Sequence, residues 1–269
     1  MTTFTSYGGI NLNYDVLGGP GEAVVCLPGG PLRAPRYLGD LGGLDAYRKL
    51  VVLELPPKRV DRIVADLEAL RTHLGQDRLD LLAHSAAGNL ALQYAAAHPD
   101  RIGKVALVTP GTRAVGIEPS EDDWHAALGR RSDEPWYPDA LKAINAWDAG
   151  DTSSATQFAA MPFFYGRWDA SAQAHAIGEA QEATPDAAAI YYAEGAPDPE
   201  TTRAGLTQVA GEVLVLVGEL DVEPTPESGR ALAALFPQAR LAVQPGAGHF
   251  PWLDDPAAFV TTMTAFFSR

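Results

Sequence analysis

Short apolar runs that stop at proline or glycine, alternating with helical stretches, dominate both ends of this 269-residue chain. Residues 23–27 read AVVCL and end in Pro28-Gly29-Gly30-Pro31; residues 50–55 read LVVLEL and end in Pro56-Pro57. LDLLA (79–83), KVALVTP (104–110), EVLVLVG (212–218) and RLAVQ (240–244) continue the series. Such runs suit strands buried on both faces of a parallel sheet. Between them, Val60, Ile63, Val64, Leu67, Leu70 and Leu74 recur at helical spacing and predict an amphipathic helix that ends near Gly75. Further helices are expected over 89–97, 227–236 and 256–267. Phe4 to Tyr7 and Ile10 to Val16, split by Gly8-Gly9, predict a hairpin. Strands alternating with helices define an α/β fold with a mostly parallel central sheet flanked by helices.

The alternation is interrupted once. Residues 111–205 lose it and become rich in Ala, Trp, Tyr, Phe, Asp and Pro. The expected organisation is a core formed by 1–110 and 206–269, with 111–205 inserted as a helical cap or lid. No internal repeat is visible.

Composition removes several function classes. The chain carries 20 Lys and Arg against 34 Asp and Glu, a formal net charge of −14, so it has little with which to neutralise a phosphate backbone, and nucleic-acid binding is not expected. Its one cysteine, Cys26, allows no internal disulfide and no multi-cysteine metal site. His-Glu-x-x-His is absent, so no metal is expected, and nothing calls for another cofactor. No apolar run reaches ~18 residues, the length that would cross a membrane. The first residues, MTTFTSYGGINLNYD, lack a basic start and an apolar stretch, so a cytoplasmic protein with a small-molecule substrate is the expectation.

In open α/β sheets, ligands sit beyond the C-terminal strand ends. The loops after Leu27, Ala83, Gly218 and Gln244 therefore matter most. Ser85 follows the run LDLLA and opens an alanine-rich helix, the strand–turn–helix arrangement of a nucleophile elbow. The strict pattern is G-x-S-x-G; here Ala83 and Ala87 replace the glycines, and Gly88 follows. A helix-capping serine would give a similar local string. His249 follows Gly246-Ala247-Gly248, a loop that lets an imidazole swing over the sheet edge to act as base for a hydroxyl that is otherwise a poor nucleophile. Asp221, just past EVLVLVG, could fix the imidazole tautomer. Glu219, Glu223, Asp254 and Asp255 are weaker candidates for the acid. The order Ser85, Asp221, His249 is that of an α/β-hydrolase. An oxyanion would need two donors: the N–H of Ala86, and one from the loop 28–31, where Gly30 is preferred and Gly29 is the fallback. The remaining histidines, His73, His84, His98, His125 and His175, read as structural or solvent-facing.

These residues also carry a resemblance. LPGGP (27–31), LLAHSAAGNLALQYAAAHPDRI (81–102), EPWYPDA (134–140), FFYGRWDA (163–170), LVGELD (216–221) and GAGHFPWLDDP (246–256) resemble α/β-hydrolase fold proteins of the proline iminopeptidase-like group, in the form common in actinobacteria. The resemblance spans nearly the whole chain. It implies a serine hydrolase acting through an acyl-enzyme. Three departures stand out. Pro28 occupies the position of the family's usual histidine before Gly-Gly-Pro. The elbow reads Ala-His-Ser-Ala-Ala-Gly, where prolyl aminopeptidases carry Gly-Gly-Ser-Trp-Gly-Ser. Only Leu55-Pro56-Pro57-Lys58-Arg59 separates a strand from the next helix, where the family has a longer loop; the trimmed loop is expected to open one wall of the site.

The inserted segment holds the candidate substrate contacts. Most of its aromatics are expected to form the cap's own small core, while Trp136, Phe164, Tyr165 and Trp168 are the candidates for a pocket over Ser85. Glu118, Glu121, Glu134 or Glu182 could meet a substrate amine, as cap carboxylates do in the aminopeptidases, although surface charge is the plainer reading of each. The leading functional expectation is hydrolysis of a small ester, amide or lactone, with proline iminopeptidase-type cleavage as one form of it. The alternative is a non-hydrolytic use of the fold, as a ligand binder or a biosynthetic cyclase or lyase.

Overall fold

A computed structural model describes residues 2–19, 21–184, 186–195 and 198–268. Among the described residues, eight strands form one sheet: β1 (Thr2–Thr5), β2 (Asn11–Leu17), β3 (Ala23–Leu27), β4 (Lys49–Leu53), β5 (Leu79–His84), β6 (Ile102–Val108), β7 (Glu212–Gly218) and β8 (Ala239–Gln244). Their spatial order is β1-β2-β4-β3-β5-β6-β7-β8. The β1–β2 hairpin is antiparallel, as is the β2–β4 pair, and every later pairing is parallel. The hairpin turns at Gly9, whose φ of +76° favours glycine.

β3 lies between β4 and β5, its successors in sequence. The chain thus winds first to one side of β3 and then to the other. This is the topological switch point of a doubly wound sheet, and it opens a crevice between the loops after β3 and β5.

Period-two alternation sends successive side chains to opposite faces. On one face, Val25, Leu27, Leu81, Ala83, Leu107 and Val215 pack with Ile63, Leu67 and Leu90, which come from the helices Val60–His73 and Ala87–Ala97. On the other, Val24, Cys26, Leu82, Ala106, Leu214 and Leu216 pack with Trp252, Phe259, Met263 and Phe266. Cys26 is buried, and burial pushes its thiol well above the ordinary range.

Helices Glu121–Gly129, Tyr137–Asp148, Ser154–Ala160, Ala170–Glu182 and Ala187–Tyr191 lie between β6 and β7. Leu128, Ala140, Ile144, Ala160 and Phe163 form a small core there, joined by Val222 from beyond β7. The stretch 111–205 does not pack as one unit. Ala114, Val115 and Tyr191 belong to the main core, as does Leu206 just beyond it. The helix Pro199–Leu206 lies against Ala87–Ala97 at Gly205, where an added Cβ would come within 2.7 Å of Ala96 Cβ. No helix among the described residues is long and apolar enough to cross a membrane.

Candidate active site

Ser85 occupies a sharp corner between β5 and the helix Ala87–Ala97, with φ +53°, a region that non-glycine residues seldom adopt. Three bonds hold the corner: Ser85 N–H donates to Val108 O at 3.1 Å, and Ser85 O accepts from the N–H groups of Gly88 and Gly111, each at 2.8 Å. Close packing demands small residues around it. A Cβ on Gly29 would lie 2.6 Å from both His84 O and Ser85 Cβ, and one on Gly88 would lie 2.7 Å from Pro110 Cβ. The glycine requirement has moved to these positions, and Ala83 and Ala87 fit as buried alanines.

The glycine-rich loop after β8 brings His249 over the corner. His249 N–H donates to Phe164 O at 2.8 Å, and Gly248 N–H donates to Asp254 Oδ2 at 2.8 Å. His249 Nε2 lies 2.9 Å from Ser85 Oγ, and His249 Nδ1 lies 2.9 Å from Asp221 Oδ2. Asp221 is fully buried, and its Oδ1 accepts the N–H of Glu223 at 3.0 Å. Burial alone would depress the His249 pKa, but the charge and hydrogen bond of Asp221 outweigh it and hold the imidazole above its ordinary value.

The weaker acid candidates are engaged elsewhere. Glu219 accepts from Gly246 N–H, Asp254 from Gly248 N–H, and Asp255 caps the last helix through Ala258 N–H. Glu223 meets Asp221 through its backbone and turns its side chain into a neighbouring cleft.

A cavity of about 110 Å³ opens on Ser85 and His249, with Gly30, Arg33, Tyr37, Trp147, Met161, Phe164, Glu179 and Phe250 around it. A second cleft, about 320 Å³, shares the walls Trp147 and Phe164 and is completed by Trp124, Ile144, Asp148 and Glu223. Of the four aromatics expected to line the site, Phe164 does so. Trp136 does not: it packs edge-on to Phe163 beneath the Arg131 guanidinium. Tyr165 is wholly buried, stacked on Phe250 and bonded to His175. Trp168 covers Tyr165 from outside, beside Phe158. Consecutive residues in a tight segment point different ways, and composition does not say which faces the crevice.

Gly30, with φ +68°, lines the cavity. Gly29 N–H is directed instead to Tyr37 Oη at 2.7 Å. Ala86 stands at the N-terminus of the helix Ala87–Ala97, where backbone N–H groups favour negative charge. Arg33 is almost fully buried; it bonds Glu182 through Nε at 2.8 Å and Glu179 through Nη1 at 3.2 Å, and Glu182 also holds Arg36 at 2.8 Å. Glu134 pairs with Arg131. Residues 55–59 do not line the cavity. Lys58 pairs with Asp66, while Arg59 pairs with Asp61 and the carbonyl of Glu194.

Sequence reasoning missed Arg33, Tyr37, Trp147, Met161, Glu179 and Phe250. Arg33, Tyr37 and Phe250 adjoin the recognised loops in sequence, which is a usable signal; Trp147, Met161 and Glu179 come from the insertion, whose helices carry none. The three groups of chemical interest converge at the C-terminal ends of β5, β7 and β8, as the α/β-hydrolase order requires. The alpha/beta hydrolase fold family profile matches residues 30–256. The chain belongs to the α/β-hydrolase fold family. Its relatives carry hydrolase names. A proline iminopeptidase of Heyndrickxia coagulans is 23% identical over 272 residues, covering 92% of this chain and 91% of that protein. Among solved structures, an esterase of Exiguobacterium antarcticum superposes with a TM-score of 0.72 at 16% identity, covering 98% of each chain. The enol-lactonase of Burkholderia xenovorans LB400 superposes with a TM-score of 0.68 at 20% identity, covering all of both chains. At these identities the structural likeness speaks for the fold, and one fold hosts many chemistries.

Proposed function

We propose that this α/β-hydrolase is a serine hydrolase that cleaves a small ester or lactone through an acyl-enzyme. The observation that carries the reading is the continuous contact from Ser85 Oγ to His249 Nε2 and from His249 Nδ1 to buried Asp221, each step 2.9 Å. In this reading Ser85 Oγ attacks the acyl carbonyl while His249 Nε2 takes its proton. Asp221 orients the imidazole and stabilises the imidazolium. The N–H groups of Gly30 and Ala86 receive the developing oxyanion, a contribution of about 2.7–4 kcal/mol per donor in a comparable enzyme. His249 then protonates the leaving group, and water activated by the same imidazole releases the acid. No cofactor takes part.

The small cavity supports a short acyl group; pockets for drug-sized ligands start at ~300 Å³. The inserted helices act as a cap, since Trp147, Met161, Phe164 and Glu179 come from them. Amide cleavage of the proline iminopeptidase type has less support. Glu182 and Glu134 are already held by arginines, and Glu179, which does face the cavity, is paired with Arg33.

The test is intact mass after incubation with a small fluorophosphonate, beside a Ser85→Ala control. One adduct on the wild type and none on the control is the expected result. A folded wild type that takes no adduct would refute the activated serine and favour the non-hydrolytic alternative. Acetyl esters, lactones and prolyl anilides then rank the substrates.

A further inference from the structure

We infer that Tyr37 and His84 are positioning residues: one hydrogen-bond chain through them ties the loop that carries Gly30 to the loop that carries His249. The inference rests on the serine-hydrolase reading and concerns how its parts are kept in register. Those parts sit on separate loops, after β3, β5 and β8, and nothing in the covalent chain fixes their mutual distance.

The chain has four members. Gly29 N–H points at Tyr37 Oη, 2.7 Å away. Tyr37 Oη lies 2.7 Å from His84 Nδ1, and His84 Nε2 lies 3.0 Å from the carbonyl oxygen of His249. The proton order is forced. A carbonyl only accepts, so His84 carries its proton on Nε2. Nδ1 of the neutral ring is then an acceptor, so the Tyr37 hydroxyl donates to it. The Tyr37 oxygen in turn accepts from Gly29. Every member is satisfied in one direction only, from the oxyanion loop to the histidine loop.

The surroundings keep that order fixed. Tyr37 and His84 are both buried. Burial first, and then the neighbouring His249, hold His84 well below the ordinary histidine range, so it stays neutral. Burial keeps the Tyr37 phenol protonated. Phe250 and Trp252 pack on the His84 ring at 5.3 and 4.8 Å between centroids, and Arg33 lies over Tyr37 at 4.2 Å. The His249 carbonyl takes a second bond from Thr109 Oγ1 at 2.9 Å.

Two consequences follow. With Gly29 N–H turned onto Tyr37, Gly30 is the loop residue left to face the cavity. With its carbonyl pinned, His249 is held at backbone and ring alike. Because His84 immediately precedes Ser85, all three loops share one reference point.

The test uses Tyr37→Phe, His84→Asn, His84→Gln and the double variant Tyr37→Phe/His84→Gln. Asn places an oxygen near the position of Nδ1 but loses the bond to His249; Gln places a nitrogen near Nε2 but loses the bond to Tyr37. For each, kcat, KM and the rate of fluorophosphonate labelling are followed across pH on p-nitrophenyl acetate, and folding is checked by cooperative melting. Each single variant should lower kcat and labelling roughly ten- to a hundredfold while KM changes less than about threefold, the pattern of a misplaced rather than a missing group. His84→Asn should also move the acidic limb of the pH profile, and Tyr37→Phe should not. The double variant should lose no more than its worse single, since both break one link. Folded variants with wild-type kcat and an unmoved profile, or losses that multiply in the double, would overturn the inference and leave the pair as core packing. If Tyr37→Phe does not fold, the two His84 variants decide by the same readouts. A wild type that neither turns over nor labels defeats the serine-hydrolase reading and the inference with it, a result distinct from active wild type beside equally active variants.

Discussion

Asp221 Oδ2 sits 2.9 Å from His249 Nδ1, and Asp221 has no exposure to solvent. A buried carboxylate this close favours the charged imidazole and fixes which ring nitrogen faces Ser85. Its second oxygen is occupied by the Glu223 N–H, so the carboxylate cannot rotate away without breaking a backbone bond.

That pair sets a pH dependence. In the proposed mechanism the base must be neutral to accept the Ser85 proton, and Asp221 raises the His249 pKa above its ordinary value against the opposing effect of burial. Activity should therefore fall with acidification, with the midpoint of the acidic limb of kcat/KM above about 6.5. Asp221→Asn should move that limb downward and reduce kcat by roughly 10⁴. A pH–rate profile of both proteins checks it; an unmoved limb would assign the titration to another group.

Stability should also fall with acid, for a separate reason. Burial, with Arg33 nearby, lowers His175 to about 4. The unfolded residue titrates near 6.5, so between these values only the unfolded chain takes the proton. The contribution of His175 is complete above about 6.5 and is lost as pH falls toward 4; His84 acts in the same direction. His249, shifted upward, works oppositely: its contribution is complete below about 6.5 and is lost as pH rises through its folded value. His175→Gln should remove about one proton from the uptake on unfolding across that window. Denaturant melts at several pH values give the slope.

Gly29→Ala tests the tightness of the elbow. Its new Cβ would lie 2.6 Å from His84 O and from Ser85 Cβ, and neither is the end of a flexible side chain. A loss of about 1–3 kcal/mol is expected from overpacking, together with a drop in kcat. Thermal melting and turnover of the same preparation measure both; a neutral variant would mean the two loops separate easily.

Trp147→Ala tests the wall between the 110 Å³ cavity and the 320 Å³ cleft, which Trp147 and Phe164 share. Joining the two spaces should raise kcat/KM for propionyl over acetyl esters by roughly ten- to two-hundredfold, at about 1–3 kcal/mol for the one extra methylene. The readout is the ratio of kcat/KM for the two esters in wild type and variant. No change in the ratio would place the acyl group elsewhere.

Local chemistry sufficed for the sheet and for the three residues at its edge. Runs such as AVVCL and EVLVLVG have no soluble alternative to burial, and each ends at a proline or glycine that stops the strand. Asp221 and His249 stand beyond such ends and Ser85 stands just beyond LDLLA, so a parallel sheet brings all three to one edge. Tertiary structure decided the rest. Trp136, Tyr165 and Trp168 look as suited to a pocket as Phe164, yet they pack away from Ser85, because facing depends on how short helices settle on the core. The ends of the stretch 111–205 joined the main core, since Ala114, Val115 and Tyr191 found apolar surface there. Gly29 and Gly30 are neighbours of one type; the hydroxyl of Tyr37, eight residues on from Gly29 and folded back over the loop, takes the N–H of Gly29, and Gly30 lines the cavity. The sequence by itself determined which groups reach the sheet edge, because strand burial and turn chemistry are local. Which groups then face one another was decided by long-range packing, because those contacts join residues far apart in the chain.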